Sequence, residues 1–451
     1  MEVKITKDFI DILVERVNEH NAKEVKEMLQ DLHPADIAEL FDNLSTKDQS
    51  FVIDLLDNEI SADILLELEE DDRKKFLKTL TAKEIAEDVI TEMDTDDAVD
   101  VINELSDEKK DEVIAQLEDQ EHAKEIVDLL RYDEATAGGL MGKEYIKVYK
   151  DWSVLTAVKQ MRKQAEDLEE VFSIYVIDED EKLLGILSLK RLLTTSSNTK
   201  VSDVYNDKVQ YVKTYAKDSE VAKVMEKYDL YEVPVVDELM RLVGVITVDD
   251  VIDVIREEAE ENYQLAAGIT HNVDSDDSIW KLTRARLPWL LLALVGSFIA
   301  VNVSQSFSNA MNLYPQLFFF TPLVAAMAGN VGVQSSAIIV QGLANNNISG
   351  SIWKRLGKEM LLAMLNSTIL ALVLLLATHF IMSTSYEISS TIVLALVTVM
   401  ILASLIGTFI PIMLHKYGVD PAIATGPFIT TSNDIFGLLI YFSIAKVILG
   451  F

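Results

Sequence analysis

The sequence predicts a multi-domain membrane protein with an all-α superhelical N-terminal domain, an α/β domain, a connecting helix and an α-helical membrane domain with five spans. Three observations predict this class: charge is divided unequally along the chain, five long apolar runs follow one another, and one segment is repeated. The expected ranges are 1–135 for the N-terminal domain, 136–255 for the α/β domain, 250–287 for the connecting helix and linker, and 288–451 for the membrane domain.

Charge separates a soluble part from a membrane part. Residues 1–270 hold 67 of the 74 acidic residues and 32 of the 40 Lys and Arg residues, so this part of the chain has a formal charge of −35. Residues 271–451 hold 7 acidic and 8 basic residues. A surface this acidic repels the phosphates of nucleic acids and attracts cations. No nucleic-acid partner is therefore expected. The alternative is that these carboxylates only keep the surface soluble.

Motifs of enzymes are missing from the sequence. There is no cysteine, which excludes disulfides and thiolate metal sites, and the six histidines form no HExxH pair. GxSxG, P-loop and GxGxxG motifs do not occur, so an enzyme is not expected. The first residues, MEVKITKDF, have no apolar core and are not expected to form a signal peptide.

The apolar runs cover about 288–306, 315–343, 358–382, 388–414 and 422–448. Each can cross a hydrocarbon core, which requires ~20 residues of helix. Basic residues occur before the first run, between the second and third, and between the fourth and fifth, whereas the other two loops have none. By the positive-inside rule the N-terminal part is then cytoplasmic and Phe451 lies outside. The basic residues are Lys281, Arg284, Arg286, Lys354, Arg355, Lys358 and Lys416.

Polar residues within the runs indicate an ion pathway. Asp434 lies in the fifth run and is expected to be the only carboxylate within a span. An ionised group there costs ~2.5–3.5 kcal/mol on insertion scales, so it should face water and a cation. Asn330 and Gln334 add carbonyl oxygens from the second run. The alternative is an Asp434 that hydrogen-bonds to Thr430 or Thr431.

Residues 140–255 contain an internal repeat. YVIDEDEKLLGILSLKRLL, from Tyr175, aligns with VVDELMRLVGVITVDDVI, from Val235, and Gly185 matches Gly244 at a distance of 59 residues. Each copy is predicted to form strand, turn, strand and helix after an amphipathic helix. The repeat resembles a tandem pair of CBS modules, which form one α/β unit that senses a ligand or transmits a movement.

In such modules a Gly-h-h-Ser/Thr-x-x-Asp sequence can bind the ribose of a nucleotide. The second copy fits this pattern with Gly244, Thr247 and Asp250, whereas the first has Arg191 in place of the Asp. ATP therefore remains an open ligand. The alternative is that Thr247 caps a helix and Gly244 forms a turn.

The N-terminal domain is predicted to be a superhelix of short helices, with N-cap candidates Ser45, Ser61, Thr81, Asp94 and Ser106. Its most acidic segment is MDTDDAVDVINEL, in which the fourth residue after Asp96 is Asp100. The two carboxylates share a helical face and repel unless a cation lies between them. The alternative is a solvated helix N-terminus.

The exit from the repeat, DDVIDVIREEAEENYQL, is predicted to be an acidic helix that leads toward the membrane and acts as a gate lever. The alternative is a solvated linker helix. Its candidate cation ligands are Asp250, Asp253, Glu257 and Glu258.

Over essentially its whole length the chain resembles the MgtE family of bacterial magnesium channels and transporters. The resemblance is carried by LRYDEATAGGLMGKEYIKV, PLVAAMAGNVGVQSSAIIVQGLA and GVDPAIATGPFITTSNDIFGLLIYF. The GGNxGxQ sequence of the family reads AGNVGVQ here, with Ala328 in place of the first Gly.

This resemblance implies a homodimer in the cell membrane with the pore between subunits, so that two Asp434 carboxylates face each other. It implies that Mg²⁺ is both transported and regulatory, and that it closes the pore when cytosolic sites are occupied. The implied pathway residues are Asp434, Asn330, Gln334 and Asp420. The implied sensor residues are Asp96, Asp100, Asp250, Asp253, Glu257 and Glu258.

Two other functions remain open from the sequence. One is a secondary transporter that couples divalent cations to protons or sodium. The other is a membrane receptor whose CBS pair senses a nucleotide, which leaves Asp434 unexplained.

The first prediction concerns topology. Because five spans place the two termini on opposite sides, a reporter fused after Phe451 should show an extracytoplasmic location, and one fused before Met1 a cytoplasmic location. A cytoplasmic signal from the C-terminal fusion would mean an even number of spans.

Overall fold

The computed structural model describes residues 5–166, 168, 171–270, 272–275, 277–344, 351–424 and 426–451. It divides into two compact units, Met1–Ile255 and Arg256–Phe451. Each unit is described by itself below.

The first unit begins with short helices. Two predicted caps form: Ser45 accepts from the amide of Asp48, and Thr81 forms a reciprocal capping box with Glu84. Ser61 as a cap is wrong, since it lies inside a helix and donates to the Ile53 carbonyl at 3.2 Å. The helices are α1 Lys7–Asn18, α2 Ala22–Leu29, α3 Pro34–Phe41, α4 Thr46–Ile53, α5 Asn58–Leu66, α6 Glu70–Leu77, α7 Ala82–Glu84, α8 Thr95–Asn103, α9 Asp107–Gln116, α10 Gln120–Leu129 and α11 Ala137–Leu140, with a π segment at Ile85–Val89 and a 3₁₀ turn at Ile90–Glu92 before α8.

The repeat forms two similar three-stranded sheets, which confirms the predicted pair of α/β modules. In each sheet the first two strands are parallel and the last two antiparallel. Each hairpin turn contains a residue with positive φ, Glu181 at 62° and Met240 at 68°, again 59 positions apart. The elements are β1 Ile146–Tyr149, α12 Val154–Gln164, β2 Ile174–Ile177, β3 Leu183–Leu187, α13 Leu189–Thr194, a 3₁₀ turn at Val201–Asp203, β4 Val212–Lys213, α14 Asp218–Tyr228, β5 Glu232–Val236, β6 Leu242–Thr247 and α15 Val248–Ala267.

Gly185 and Gly244 allow another segment to approach each sheet edge closely. A Cβ atom at Gly185 would lie 2.1 Å from the carbonyl oxygen of Asn206, and one at Gly244 would lie 2.8 Å from that of Gly142. The expectation that Gly244 forms a turn is therefore wrong, because it lies within β6 and its missing side chain makes room for residue 142.

The second unit contains five helices that are long and apolar enough to cross a membrane, which confirms the predicted span count. The last of them begins at Pro427. The helices are α16 Ile279–Ser306, α17 Ser308–Leu313, α18 Gln316–Phe319, α19 Thr321–Ala344, α20 Ile352–Leu376, α21 Tyr386–Lys416 and α22 Pro427–Leu449, with a π segment at Ala377–Ile381 and a 3₁₀ turn at Pro421–Ala424.

In the second unit, helix α19 packs against both α21 and α22. A Cβ atom at Gly407 of α21 would lie 2.3 Å from the carbonyl oxygen of Gly332. On the α22 side, Asn433 is buried and its Nδ2 donates to the Ala328 carbonyl at 3.3 Å. Small residues thus let the backbones of α19 and α21 touch, as is typical of membrane helices.

Candidate ion pathway and acidic cluster

A cavity of about 510 Å³ lies between α19 and α22 of the second unit. Asn330 and Gln334 are four residues apart on α19, and Thr430 and Asp434 are four apart on α22, so each pair shares a helical face. The remaining wall also belongs to α19: it consists of the side chains of Ala325, Ala326 and Val333 and the backbone of Gly329. The structure therefore brings together the carboxylate and the two carboxamides that the sequence predicts for an ion pathway.

Asp434 has no protein partner in the part of the chain that the structure describes. Its side chain is half-buried. Thr430 donates to the Gly426 carbonyl at 3.3 Å, and no described hydrogen bond joins Asp434 to Thr430 or Thr431. A carboxylate in an apolar surrounding without a donor is expensive unless water or a cation reaches it. The cavity provides that access.

Asp420 lies outside the lining of this cavity. It is exposed in the segment before α22 and accepts a hydrogen bond from the Ala422 amide at 2.7 Å, at the start of the 3₁₀ turn. This contact is local capping. A role of Asp420 in the pathway stays a prediction.

The expectation that Asp434 is the only carboxylate within a span is wrong, because Glu359 lies in α20. Its Oε1 accepts hydrogen bonds from Ser335 Oγ at 2.7 Å and from Ser404 Oγ, so the group joins α20 to α19 and α21. Hydrogen bonds between membrane helices average ~0.6 kcal/mol, with a maximum near 1.7. Glu359 directly follows Lys358 and lies about two turns into α20, so it is near one end of the span and not at its centre.

In the first unit, the N-terminus of α8 and the first turn of α15 form an acidic cluster. Its members are Asp96, Asp97 and Asp100 from α8 and Asp250 from α15. Asp250 Oδ2 accepts from the hydroxyl of Thr247 at 2.7 Å and from the Thr247 amide at 3.2 Å. At the start of α15 the Asp250 carboxylate therefore accepts hydrogen bonds from Thr247, the residue that is predicted to cap this helix.

The carboxyl groups of this cluster are hard to ionise. Desolvation, followed by repulsion from Asp250, raises the pKa of Asp97 to about 7 and that of Asp100 to about 6. The same two causes raise the pKa of Asp96 well above its ordinary value. Desolvation also raises the pKa of Asp250 to about 6, against the hydrogen bond from Thr247. Four like charges close together need a cation or protons to balance them.

Glu144 belongs to this region although sequence analysis did not find it. Its carboxylate accepts from the amide and the hydroxyl of Thr95, both at 2.9 Å, and thereby caps the start of α8. It is 49 positions away from Thr95 in the chain, so no local pattern could reveal the contact. Asp97 could have been found, because it lies in the same acidic run as Asp96.

The other predicted sensor residues are exposed on α15. Asp253 adds to the repulsion that raises the pKa of Asp250, whereas Glu257 and Glu258 lie further along the helix. Among the described residues, no three or more Asp, Glu or His side chains are arranged to hold a metal ion directly. The donor set nevertheless suits Mg²⁺, which prefers carboxylate oxygens and keeps several of its waters.

Fold and sites together define a membrane-embedded cation transporter with a soluble α/β domain, and comparisons with known proteins agree. Residues 321–444 match the model of the divalent cation transporter family MgtE, and residues 32–135 match the MgtE intracellular N domain. Residues 137–198 and 201–257 each match the CBS domain.

The chain is 32% identical to the magnesium transporter MgtE of Thermus thermophilus, over 97% of this chain and 98% of that protein. It is 33% identical to the magnesium transporter MgtE of Enterococcus faecalis, over 98% and 97% respectively. The chain therefore belongs to the MgtE family, as its motifs predict.

Two solved structures are similar to the first unit. The soluble part of a magnesium transporter is 31% identical, with a TM-score of 0.50, and aligns with 56% of this chain and 99% of its own. The cytosolic domain of the Mg²⁺ channel MgtE in complex with ATP is 35% identical, with a TM-score of 0.51, over 54% and 99%.

The second prediction concerns pH. A raised carboxyl pKa stabilises the fold below the ordinary value near 3.8, and that contribution is lost as pH rises through about 6 to 7. Without divalent cations, the first unit should therefore melt at a higher temperature at pH 6 than at pH 8. Each group that titrates contributes up to ~1.4 kcal/mol per pH unit. Thermal unfolding in a chelator measures this slope.

Asp97→Asn should flatten the slope, whereas Asp111→Asn, at an exposed position of α9, should leave it unchanged. Saturating Mg²⁺ should raise the melting temperature more at pH 8 than at pH 6, because metal ligands must be deprotonated. A melting temperature that falls from pH 8 to pH 6 would contradict the pKa assignment.

Proposed function

We propose that this protein imports Mg²⁺ through a pore lined by Asp434, Asn330 and Gln334, and that cytosolic Mg²⁺ closes the pore by binding the acidic cluster. The observation that carries the proposal is Asp434, a membrane carboxylate without a described partner that lines a cavity with two carboxamides. The naming of its relatives as magnesium transporters supports the choice of ion.

The chemistry of the cavity suits a hydrated divalent cation. Mg²⁺ dehydrates reluctantly and usually binds through one or two carboxylates while it keeps several waters. A homodimer with its pore between subunits would supply two Asp434 carboxylates, together with the carbonyl oxygens of Asn330 and Gln334. A lone subunit would supply one carboxylate.

The membrane potential suffices to drive entry. Moving a charge through 100 mV is worth ~2.3 kcal/mol, and twice that for Mg²⁺. Because neither a P-loop nor another ATPase motif is present in the sequence, flow down the electrochemical gradient requires no further energy source.

Regulation follows from the repulsion within the acidic cluster. A ligand shifts an equilibrium between two states only if it binds one of them more tightly. Carboxylates that approach one another only in a compact state create that difference, because Mg²⁺ relieves a repulsion that exists only there. Moving the population from 1:99 to 99:1 needs ~10⁴-fold preference, so several sites must act together. Helix α15 would transmit the compaction to the first span.

ATP is proposed as a second ligand of the CBS pair. The complex of a related cytosolic domain with ATP supports this, as does the motif that contains Thr247 and Asp250. In this chain the hydroxyl of Thr247 is bonded to Asp250, so a ribose that contacts either residue must compete with that hydrogen bond.

The third prediction tests the pore. Asp434→Ala should abolish Mg²⁺ uptake into liposomes that contain only the purified protein, because it removes the carboxylate from the cavity. Asp434→Asn should be nearly as damaging, since it keeps the shape and loses the charge. Uptake is measured with a fluorescent Mg²⁺ indicator under an imposed membrane potential, with no proton or sodium gradient.

Glu387→Ala is the matched control, because Glu387 is an exposed carboxylate at the start of α21. Wild-type uptake by correctly folded Asp434→Ala would refute the pore assignment. Uptake by the wild type that requires a proton or sodium gradient would identify a coupled carrier instead of a channel.

The fourth prediction tests the sensor. Replacing Asp250, Asp253, Glu257 and Glu258 with the corresponding amides should leave uptake high when Mg²⁺ is present on the cytoplasmic side, where the wild type is inhibited. In the wild type, Mg²⁺ should also protect the first unit from protease, because the compact state exposes fewer cleavable segments.

A control with the same change of charge neutralises Asp107, Glu108, Asp111 and Glu112, four exposed carboxylates of α9. This control should retain inhibition by Mg²⁺. Equal proteolysis with and without Mg²⁺, together with unchanged inhibition of the α15 variant, would reduce the acidic half to a solubility feature.

A further inference from the structure

Helix α19 carries Asn330 and Gln334, so its rotation and axial position decide where these carboxamides lie relative to Asp434. On two sides α19 is held by direct packing against α21 and α22. Toward α20, by contrast, it has little backbone contact in the described structure, because α20 packs along α21. Backbone packing therefore does not hold α19 on this third side.

A second cavity of about 340 Å³ occupies the space between α19, α20 and α21. Asn330 and Gln334 line this cavity as well as the first one, and Asn366 of α20 faces them among apolar side chains. A cavity with three carboxamides is polar enough to contain water and gives α19 room to move. Packing on the α20 side does not fix the two pathway residues.

The contact between α19 and α21 combines buried apolar side chains, such as Val324 and Leu396, with a close approach of two glycines. A Cβ atom at Gly407 would meet the backbone of Gly332, whereas one at Gly332 would meet the side chains of Asn433 and Ile429 of α22. Glycines allow helices to touch, but they offer no side chain that interlocks with the partner helix. Beside this glycine contact, Ser335 Oγ of α19 lies 3.0 Å from Ser404 Oγ of α21. This pair of hydroxyls adds a directional polar contact between the two helices.

Glu359 joins these two hydroxyls to the third helix. Ser335 and Ser404 are buried, and both donate to the same oxygen of Glu359. In the described ranges Glu359 forms no ion pair with Lys or Arg, and its hydrogen-bond partners there are these two serines. Ser335 directly follows Gln334, about 100° further around α19, so the group acts next to a pathway residue without lining the cavity itself.

We propose that Glu359 is a positioning residue of the ion pathway: through Ser335 and Ser404 it ties α19 to α20 and α21 and thereby fixes Asn330 and Gln334 opposite Asp434. This inference rests on the proposed function and adds a residue that acts at a distance from the ion. Its shape and its acceptor oxygen matter for this role, whereas its charge does not.

The test is Mg²⁺ uptake into liposomes by Glu359→Ala, Glu359→Gln and the double variant Ser335→Ala/Ser404→Ala, each normalised to folded protein. Glu359→Ala should lose ~10-fold of Mg²⁺ uptake, the low end for residues that orient metal-contacting groups. Its uptake of Ca²⁺ relative to Mg²⁺ should rise, because the carboxamides no longer hold their positions. Glu359→Gln should restore most uptake, since an amide oxygen can accept both hydroxyl hydrogens.

The serine variant should reproduce the loss, and adding Glu359→Ala to it should change uptake by less than ~2-fold, because the three residues act as one unit. This variant also serves if Glu359→Ala does not fold. Glu387→Ala is again the matched control and should transport as the wild type does.

Wild-type uptake and selectivity in Glu359→Ala would overturn the inference, and so would a loss in Glu359→Gln as large as in Glu359→Ala, which would mean that the charge itself acts on the ion. A lower melting temperature with unchanged uptake per folded molecule would also overturn it, since the role would then be structural only. If wild-type liposomes take up no Mg²⁺, the proposed function fails first and this inference fails with it.

Discussion

The cost of placing carboxylates in partly buried positions without an ion-pair partner is the constraint on which both units of this protein depend. In the first unit, four such groups lie at the junction of α8 and α15, and desolvation, together with repulsion from neighbouring carboxylates, raises their pKa values. In the second unit, Asp434 lines a cavity without a described partner. Buried charges of one sign are tolerated only when something compensates them. Under the proposed function, a hydrated divalent cation compensates the charge in both places.

The fold keeps these groups close by holding the backbone around them. Glu144 caps the start of α8, and the amide of the preceding residue, Lys143, donates to the hydroxyl of Thr95 at 2.9 Å. Gly142 is bridged to Val245 of β6, which leads directly into α15. The same short segment therefore fixes both acidic helices. Rigid backbone contacts prevent the carboxylates from relaxing apart, which keeps the repulsion available to a ligand.

In the second unit, small residues have the corresponding role. Gly332, Gly407 and Gly437 bring α19, α21 and α22 close to one another, and Asn433 is bonded to the backbone of α19. This packing leaves the α19 face with Asn330 and Gln334 open toward a cavity. Glu359 and its two serines hold the remaining side. Close backbone approach, buried apolar side chains and interhelical hydrogen bonds thus act together in this unit.

The sequence by itself determined the division into an acidic soluble part and a membrane part, the number of spans, the repeat and the carboxylate of the fifth span. These features follow from composition, from apolar runs about as long as a bilayer is thick, and from a repeat with a period of 59 residues. None of these signals depends on which distant segments pack together. Asn330 and Gln334 could be chosen as well, since polar residues are rare in such runs.

Only the tertiary structure decided which of these residues meet. It brought Asp250 to Asp96 and Asp97 across more than 150 positions of the chain, and it placed Glu144 at the start of α8. It assigned Gly244 to a close approach instead of a turn, and it revealed Glu359 as a bridge between three helices. The reason is physical: helix periodicity specifies which face a side chain shares with its neighbours, but the partner across that face is set by packing between distant segments.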